Sequence, residues 1–234
     1  YLIFAMILYH TTKLMDKRPT LCANAVIFDM DGVLIDSEAV NIASAVEGFQ
    51  KFGITLQADE RLHLVGRHEA DFVPYFAKHY NISKDVTPQI ITEIDNAYVR
   101  LWPEQAVLNP MANEVLQTLK NRGIRLALAT SSTRSGVERF LKKLGGESPF
   151  ECILAFEDVT ARKPNPAIYK KAQERLLLPS AEIVVIEDTG VGVSAAHGAG
   201  LRCIAIPNKH TNGHDFSLAD VIVKSLKDIP TIVT

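Results

Sequence analysis

Five short runs of nearly unbroken apolar residues recur along the chain: "AVIFDM" from Ala25, "GIRLALAT" from Gly123, "ECILAF" from Glu151, "EIVVIED" from Glu182 and "LRCIAIP" from Leu201. A strand with one wet face alternates apolar and polar side chains. Runs that are apolar at successive positions therefore predict strands covered on both faces, as in a parallel sheet between helical layers. Segments of helical spacing separate the runs, and glycine stops them: "LQTLKNRG", "FLKKLG" and "HGAG", the first two with basic residues in the last turn. Asn165 and Pro166 give "NPAIYKKAQERL" an N-cap residue and a first-turn proline. The expected fold class is α/β, a doubly wound parallel sheet.

Between the first run and the second lies a long segment, residues 37–106, with no convincing strand. "EAVNIASAVEGFQKF" puts Ile42, Val46 and Phe49 on one helical stripe, ended by Gly53. "ADERLHLV", "HEADFVPYFAKHY" and "TPQIITEIDNAYVRLW" read as three more helices, their aromatic residues forming a small core. The expected organisation is an N-terminal extension over 1–21, a core domain from 22–36 and 107–234, and an inserted helical domain over 37–106. The opening run "YLIFAMILYH" is shorter than the roughly 20 residues of a bilayer span and lacks the basic start and cleavage site of a signal peptide. It is expected to stand outside the core, with Met15 an alternative start and a membrane anchor the less favoured reading.

Charge and cysteine usage narrow the class further. Twenty-five basic against 27 acidic residues give a net charge of −2, so nothing predicts a nucleic-acid or membrane-surface partner. Cys22, Cys152 and Cys203 are widely spaced and odd in number, which suits reduced thiols in a cytoplasmic protein better than a disulfide framework.

In open α/β sheets, ligands bind beyond the carboxyl ends of the strands. The residues that follow the runs make a constellation there. The first run delivers Asp29 and Asp31, the second Thr130 with Ser131 and Ser132, and the fourth Glu187 and Asp188, while "ARKPNP" places Lys163 in a loop ahead of a helix. Carboxylates two apart on an extended chain point the same way and repel, so something must compensate them. Mg²⁺, which prefers oxygen ligands and keeps waters, suits acids from two strands. Thr130, Ser131 and Lys163 suit phosphate oxygens.

The ordered motifs "FDMDGVLIDSE", "ATSS", "ARKPNP" and "IEDTGVGVSAAHGAG" resemble those of the haloacid dehalogenase-like superfamily, and the helical insertion resembles its C1-type cap over a Rossmann-like core. The branch is similar to phosphoglycolate phosphatases, small sugar-phosphate phosphatases and β-phosphoglucomutases. The resemblance implies an Mg²⁺-dependent phosphatase that acts on a small phosphorylated metabolite, as a monomer or weak dimer. Asp29 would be the nucleophile that forms an aspartyl-phosphate, and Asp31 the general acid and then base. Thr130 and Lys163 would hold the phosphoryl group. Asp29, Asp188 and the backbone carbonyl of Asp31 would ligate the metal, with Glu187 in a supporting or water-mediated place. Dehalogenation is disfavoured, because that branch lacks the second aspartate.

In the cap, the mutases' arginine and first-helix histidine align with Glu69 and Asn41, and their lysine with Arg100. With two of three features missing, hydrolysis is expected over the alternative, phosphomutase chemistry. Arg67, His68 and Glu69 are candidates to reach the site, or else a solvated helix start. Met111 replaces the glycine that the family usually has after Pro110, which leaves the geometry of that loop open.

Rival readings carry less. Gly190, Gly192 and Ala195 fit a dinucleotide fingerprint, but Glu187 and Asp188 directly before them would repel a pyrophosphate, and the motif stands late in the domain. A phosphoacceptor receiver module gathers similar side chains, yet the long insertion fits it poorly. His210 and His214 lie four apart, but Gly213 speaks for a solvated loop over a metal-binding helix. Asp158 and Thr160 are expected to position Lys163.

Overall fold

The structure is a computed structural model that describes residues 20–61, 63–64 and 69–234. The opening apolar run, Arg67 and His68 lie outside the described residues. Eight strands are present among the described residues: β1 (Ala25–Phe28), β2 (Ile35–Asp36), β3 (Val107–Leu108), β4 (Arg125–Ala129), β5 (Cys152–Leu154), β6 (Ile183–Glu187), β7 (Arg202–Ala205) and β8 (Val221–Ile222). Six of them form one sheet in the order β5-β4-β1-β6-β7-β8, every pair parallel. All five apolar runs became strands, each trimmed at its ends. The edge strand β8 has only two residues, too few for any periodicity to show in the sequence.

The near-continuous apolarity has a direct cause in the packing. Val26, Phe28, Leu126, Leu128, Val184 and Ile186 point to one face. The residues between them, such as Ala25, Ile27, Ala127, Ala129 and Val185, point to the other. Helices α5 (Ala112–Asn121) and α6 (Arg134–Leu144) cover the first face. Helices α7 (Ala167–Leu176) and α8 (Gly190–Gly198) cover the second. Both faces are thus dry, which is what parallel strands require. The short helix α9 (Ile229–Ile232) closes the chain against the first face. The helix α7 starts one residue later than its sequence predicts, with Pro166 at the N-cap, and Asn165 Oδ1 accepts from Ala167 N at 3.0 Å just ahead of it. Met111 has φ −93°, so the loop after Pro110 does not need a glycine. Asn109 Oδ1 accepts its N–H at 3.1 Å instead.

The insertion holds α1 (Glu38–Gln50), α2 (Ala58–Arg61), α3 (Glu69–His79) and α4 (Thr87–Gln105). It packs its own apolar cluster, with Phe49, Phe72, Phe76, Ile90 and Ile94 at the centre. Phe49 and Phe76 meet edge-on, ring centroids 5.5 Å apart. At its base, β2 and β3 pair antiparallel, Ile35 opposite Leu108 and Asp36 opposite Val107. The two chain crossings into the insertion therefore run side by side. No helix among the described residues is long and apolar enough to cross a membrane.

Helices α1 and α4 touch at Gly48, where an added Cβ would lie 2.4 Å from Ile94 Cγ1 and 3.0 Å from Ile94 N. Gly48→Ala should force these helices apart and cost about 1–3 kcal/mol through overpacking. Calorimetric unfolding should show a correspondingly lower melting temperature.

Candidate active site

The parallel register sets the site. Phe28 aligns with Leu128 on one side and Ile186 on the other, so the three central strands end level with one another. One residue on, Asp29 N donates to Ile186 O at 2.9 Å, and its carboxylate leaves the sheet beside Glu187 and Asp188. The backbone then turns at Gly32, whose φ is +80° and whose N donates to Ile35 O at 2.7 Å. A Cβ at Gly32 would fall 2.0 Å from Asp188 Oδ2. Only glycine gives both the turn and the close approach.

Asp29 and Asp31, expected to crowd each other on an extended strand, are given separate partners because β1 ends at Phe28. Asp29 Oδ1 accepts from Lys163 Nζ at 2.6 Å. Asp31 Oδ1 accepts from Ser37 Oγ at 2.5 Å, and its Oδ2 from Ser132 Oγ at 2.6 Å, with Thr130 Oγ1 farther off at 3.5 Å. The hydroxyl nearest Asp31 in the "ATSS" motif is thus that of Ser132. Ser131 lines the same cleft but is exposed.

Lys163 uses all three of its donors: Asp29 Oδ1, Glu187 Oε1 at 2.7 Å and the Ala129 carbonyl at 3.1 Å. Its ammonium also sits 4.8 Å from the centroid of the Tyr169 ring. Glu187 is fully engaged. Its Oε1 accepts from Lys163 and from the Tyr169 hydroxyl at 2.6 Å, and its Oε2 from Asp188 N, Thr189 N and Thr189 Oγ1. Gly192 leaves room for it, since a Cβ there would lie 1.9 Å from Glu187 Cδ. The fingerprint-like glycine thus seats a carboxylate at the start of α8. Asp188 accepts from Asn208 Nδ2 at 2.8 Å on Oδ2, whereas its Oδ1 is buried with no donor.

Burial pushes Asp29 up to about 8, aided by the charges of Glu187 and Asp31 and opposed by Lys163. Burial likewise raises Asp188 well above the usual carboxylate range, with Glu187 and Asp29 adding to it. Glu187 is buried too, but the Lys163 charge and the hydrogen bonds from Lys163, Tyr169 and Thr189 outweigh burial and hold it down. Oxygens of Asp29, Glu187 and Asp188 lie within 4.8 Å of one another. Asp29 and Asp188 fit Mg²⁺: both offer hard carboxylate oxygens, Asp188 Oδ1 has no donor, and the one ammonium of Lys163 does not balance three acids.

The cleft above these groups has a volume of ≈ 890 Å³ and takes one wall from the insertion, including Asn41, Glu69 and Tyr98. Arg100, expected to face it, pairs instead with Glu47 on the outside of the helical insertion and does not line the cleft. The segment around His210 was expected to be a solvated loop, but His210 lines the cleft and His214 Nδ1 accepts from Gly190 N at 3.3 Å. Asp158 acts on the loop before Lys163: its Oδ2 accepts from Ala155 N at 2.8 Å and pairs with Arg134. Ser37, Tyr169, Asn208 and Arg139 were not foreseen. Ser37 stands at the end of the first motif without a role having been read from it, whereas the other three stand in none, and only the fold brings them to the cleft or its floor.

The sequence model of the haloacid dehalogenase-like hydrolases matches residues 26–206. A phosphorylated carbohydrates phosphatase of Thermotoga maritima is 34% identical over 181 residues, covering 77% of this chain and 83% of its own. Validoxylamine A 7'-phosphate phosphatase of Streptomyces hygroscopicus subsp. limoneus is 30% identical, covering 87% and 94%. Among solved structures, CbbY from Rhodobacter sphaeroides in complex with phosphate superposes with a TM-score of 0.77 at 29% identity, covering 88% of this chain and 96% of that one.

Tyr169→Phe removes the hydroxyl that Glu187 accepts, in a fully buried place. Loss of a hydrogen bond to a charged group should lower stability by about 1.5–3 kcal/mol. Urea denaturation should show this as a lower midpoint at an unchanged slope.

Proposed function

Because the chain belongs to the haloacid dehalogenase-like hydrolase family and is a phosphoric monoester hydrolase, we propose that it hydrolyses a small phosphorylated metabolite, a sugar phosphate foremost, through an aspartyl-phosphate on Asp29. The observation that carries this reading is the pairing of Asp29 with Lys163 at 2.6 Å, beside a second aspartate, Asp31, whose side-chain partners among the described residues are hydroxyls. A carboxylate oxygen of Asp29 attacks phosphorus, and the bond to the ester oxygen breaks. Asp31 delivers a proton to that leaving oxygen, then takes one from the water that attacks the aspartyl-phosphate, releasing inorganic phosphate and restoring Asp29. Thr130 and the Lys163 ammonium orient phosphoryl oxygens, and Lys163 offsets charge that builds there.

Asp29, Asp188 and the carbonyl of Asp31 would hold Mg²⁺, which neutralises phosphoryl charge when bound. Glu187, its acceptors filled by five donors, acts through Lys163. The insertion serves as a cap, with the β2–β3 pair at its root as the hinge, so that closure excludes bulk water. Asn41 and Glu69 line the cleft where the mutases carry histidine and arginine, which favours water over a sugar hydroxyl as the acceptor.

Asp29→Asn should lower turnover of sugar phosphates by about 10⁴-fold or more while circular dichroism stays unchanged. Retained hydrolysis would remove the nucleophile assignment. Mg²⁺ should raise the melting temperature, by an amount equivalent to about 2.7 kcal/mol at a hundred times its dissociation constant. Asp188→Asn should remove most of that rise. A chelator should stop hydrolysis reversibly, and indifference to it would speak against the metal.

A further inference from the structure

Most arginines of the core have an acidic or carbonyl partner. Arg125 pairs with Glu151, Arg134 with Asp158, and Arg122 and Arg202 donate to backbone carbonyls. Arg139 on α6 differs. It lines the cleft and is half-buried, yet none of its five N–H donors meets a protein acceptor among the described residues, and its Nε is buried without any partner. What the protein gives it is aromatic. The guanidinium carbon lies 5.7 Å from the centroid of the Tyr98 ring and 5.9 Å from that of Trp102, both on α4. Aromatic contact of this kind engages the face of a guanidinium and leaves its in-plane fork of donors free.

A buried Nε–H with no acceptor is costly to maintain unless something fills it. Joining the cap to the core does not account for it, because Lys143, one turn on, already does so. Its ammonium donates to the Pro103 carbonyl at 2.9 Å and sits 5.3 Å from the Trp102 ring centroid. The surroundings suit an anion. Thr133 and Ser135, whose hydroxyls lie 3.0 Å apart, line the cleft from the same first turn of α6. Arg162, the other guanidinium on the wall, is exposed and has Glu69 as a nearby opposite charge.

We propose that Arg139 receives a second oxyanion of the substrate, a carboxylate or a phosphate, distinct from the phosphoryl group that Asp29 attacks. The substrate class narrows accordingly to phosphate esters that carry another anionic group. This rests on the reading of the cleft as a phosphatase site and adds a specificity-determining residue on the core side. Sequence spacing gives no hint of it, since Arg139 lies beyond the "ATSS" motif.

The test compares three probes that differ at one end: glucose 6-phosphate, 6-phosphogluconate and glucose 1,6-bisphosphate. The wild-type chain should favour one or both doubly anionic probes in kcat/KM. Arg139→Ala should cut that preference by about 10–100-fold, the worth of a charge-assisted fork, chiefly through KM. Arg139→Lys should keep part of it, since an ammonium is a point charge without the fork. Whichever probe loses most identifies the oxyanion as carboxylate or phosphate. Equal preference in wild type and Arg139→Ala would overturn the proposal, and so would an equal loss on all three probes, the mark of a damaged cap contact. Arg139→Gln, which keeps the stem, takes the place of Arg139→Ala if that variant does not fold. If the wild-type chain hydrolyses none of the probes, the glucose skeleton is not its substrate, and calorimetric binding of the probes to the Asp29→Asn chain decides the subsite. Weaker binding of 6-phosphogluconate or glucose 1,6-bisphosphate, but not of glucose 6-phosphate, upon adding Arg139→Ala supports it, and no difference overturns it.

Discussion

The buried ammonium of Lys163 is the point on which the rest of the site depends. Its three hydrogen bonds go to Asp29 after β1, Ala129 of β4 and Glu187 of β6, so one side chain ties together the ends of the three central strands. Taking a charge out of water is expensive, and breaking a buried pair by removing one partner typically costs about 3–5 kcal/mol because it strands the other charge. Here removal would strand two. The molecule secures the arrangement from behind: Glu187 is fixed by Tyr169 and Thr189, and Gly192 gives up its side chain to make the space. The depth of Lys163, only 5% exposed, makes its charge count, since little water screens it.

One ammonium does not balance three buried acids. Asp29 and Asp188 are both pushed up by burial, while Glu187 alone is held low. A site of this kind is settled by protons or by a cation. In the proposed reaction a phosphate ester brings further negative charge, which protons on Asp29 would not help, since Asp29 as the proposed nucleophile must be ionised. The undonated Asp188 Oδ1 offers a divalent ion an oxygen without displacing an existing hydrogen bond, and Gly32 leaves room for the Asp188 carboxylate itself. Two different glycines thus serve one electrostatic problem, one by making room for Asp188 and the other for Glu187.

The strands were legible because both sheet faces are dry, which leaves a near-continuous apolar run wherever a parallel strand passes. The level ends of β1, β4 and β6 follow from the register, and so the motif residues at those ends could be placed in one region from sequence. What the sequence hid has a physical reason in each case. The motif places Ser132 at the strand ends, but not its bond to Asp31 across 101 residues; Tyr169 reaches Glu187 across 18 and Asn208 reaches Asp188 across 20. Each is an ordinary residue type whose role exists only after folding. Arg100 was misplaced for a different reason. Asp95, Tyr98 and Val99 of α4 line the cleft, three and four residues apart on one face. Arg100 lies two residues from Tyr98, more than half a turn round at 3.6 residues per turn. A helical wheel anchored on Tyr98 would have turned it outward. The β2–β3 pair was hidden because two-residue strands carry no pattern.

The two aspartates show how identical side chains acquire different tasks from their partners. Lysine can only donate, so Lys163 favours an ionised Asp29 against the pull of burial, which is the state that its proposed role as nucleophile needs. Asp31 meets hydroxyls instead, from Ser37 and Ser132. A hydroxyl donates or accepts as it rotates, so it can follow Asp31 through loss and gain of a proton without leaving an ion unpaired. Met30 between them is buried in the sheet core, and Gly32 turns the chain directly afterwards, so neither carboxylate can trade places with the other. Backbone geometry fixes where each acid sits, and the donor set around it suits Asp29 to the proposed attack and Asp31 to the proposed proton transfer.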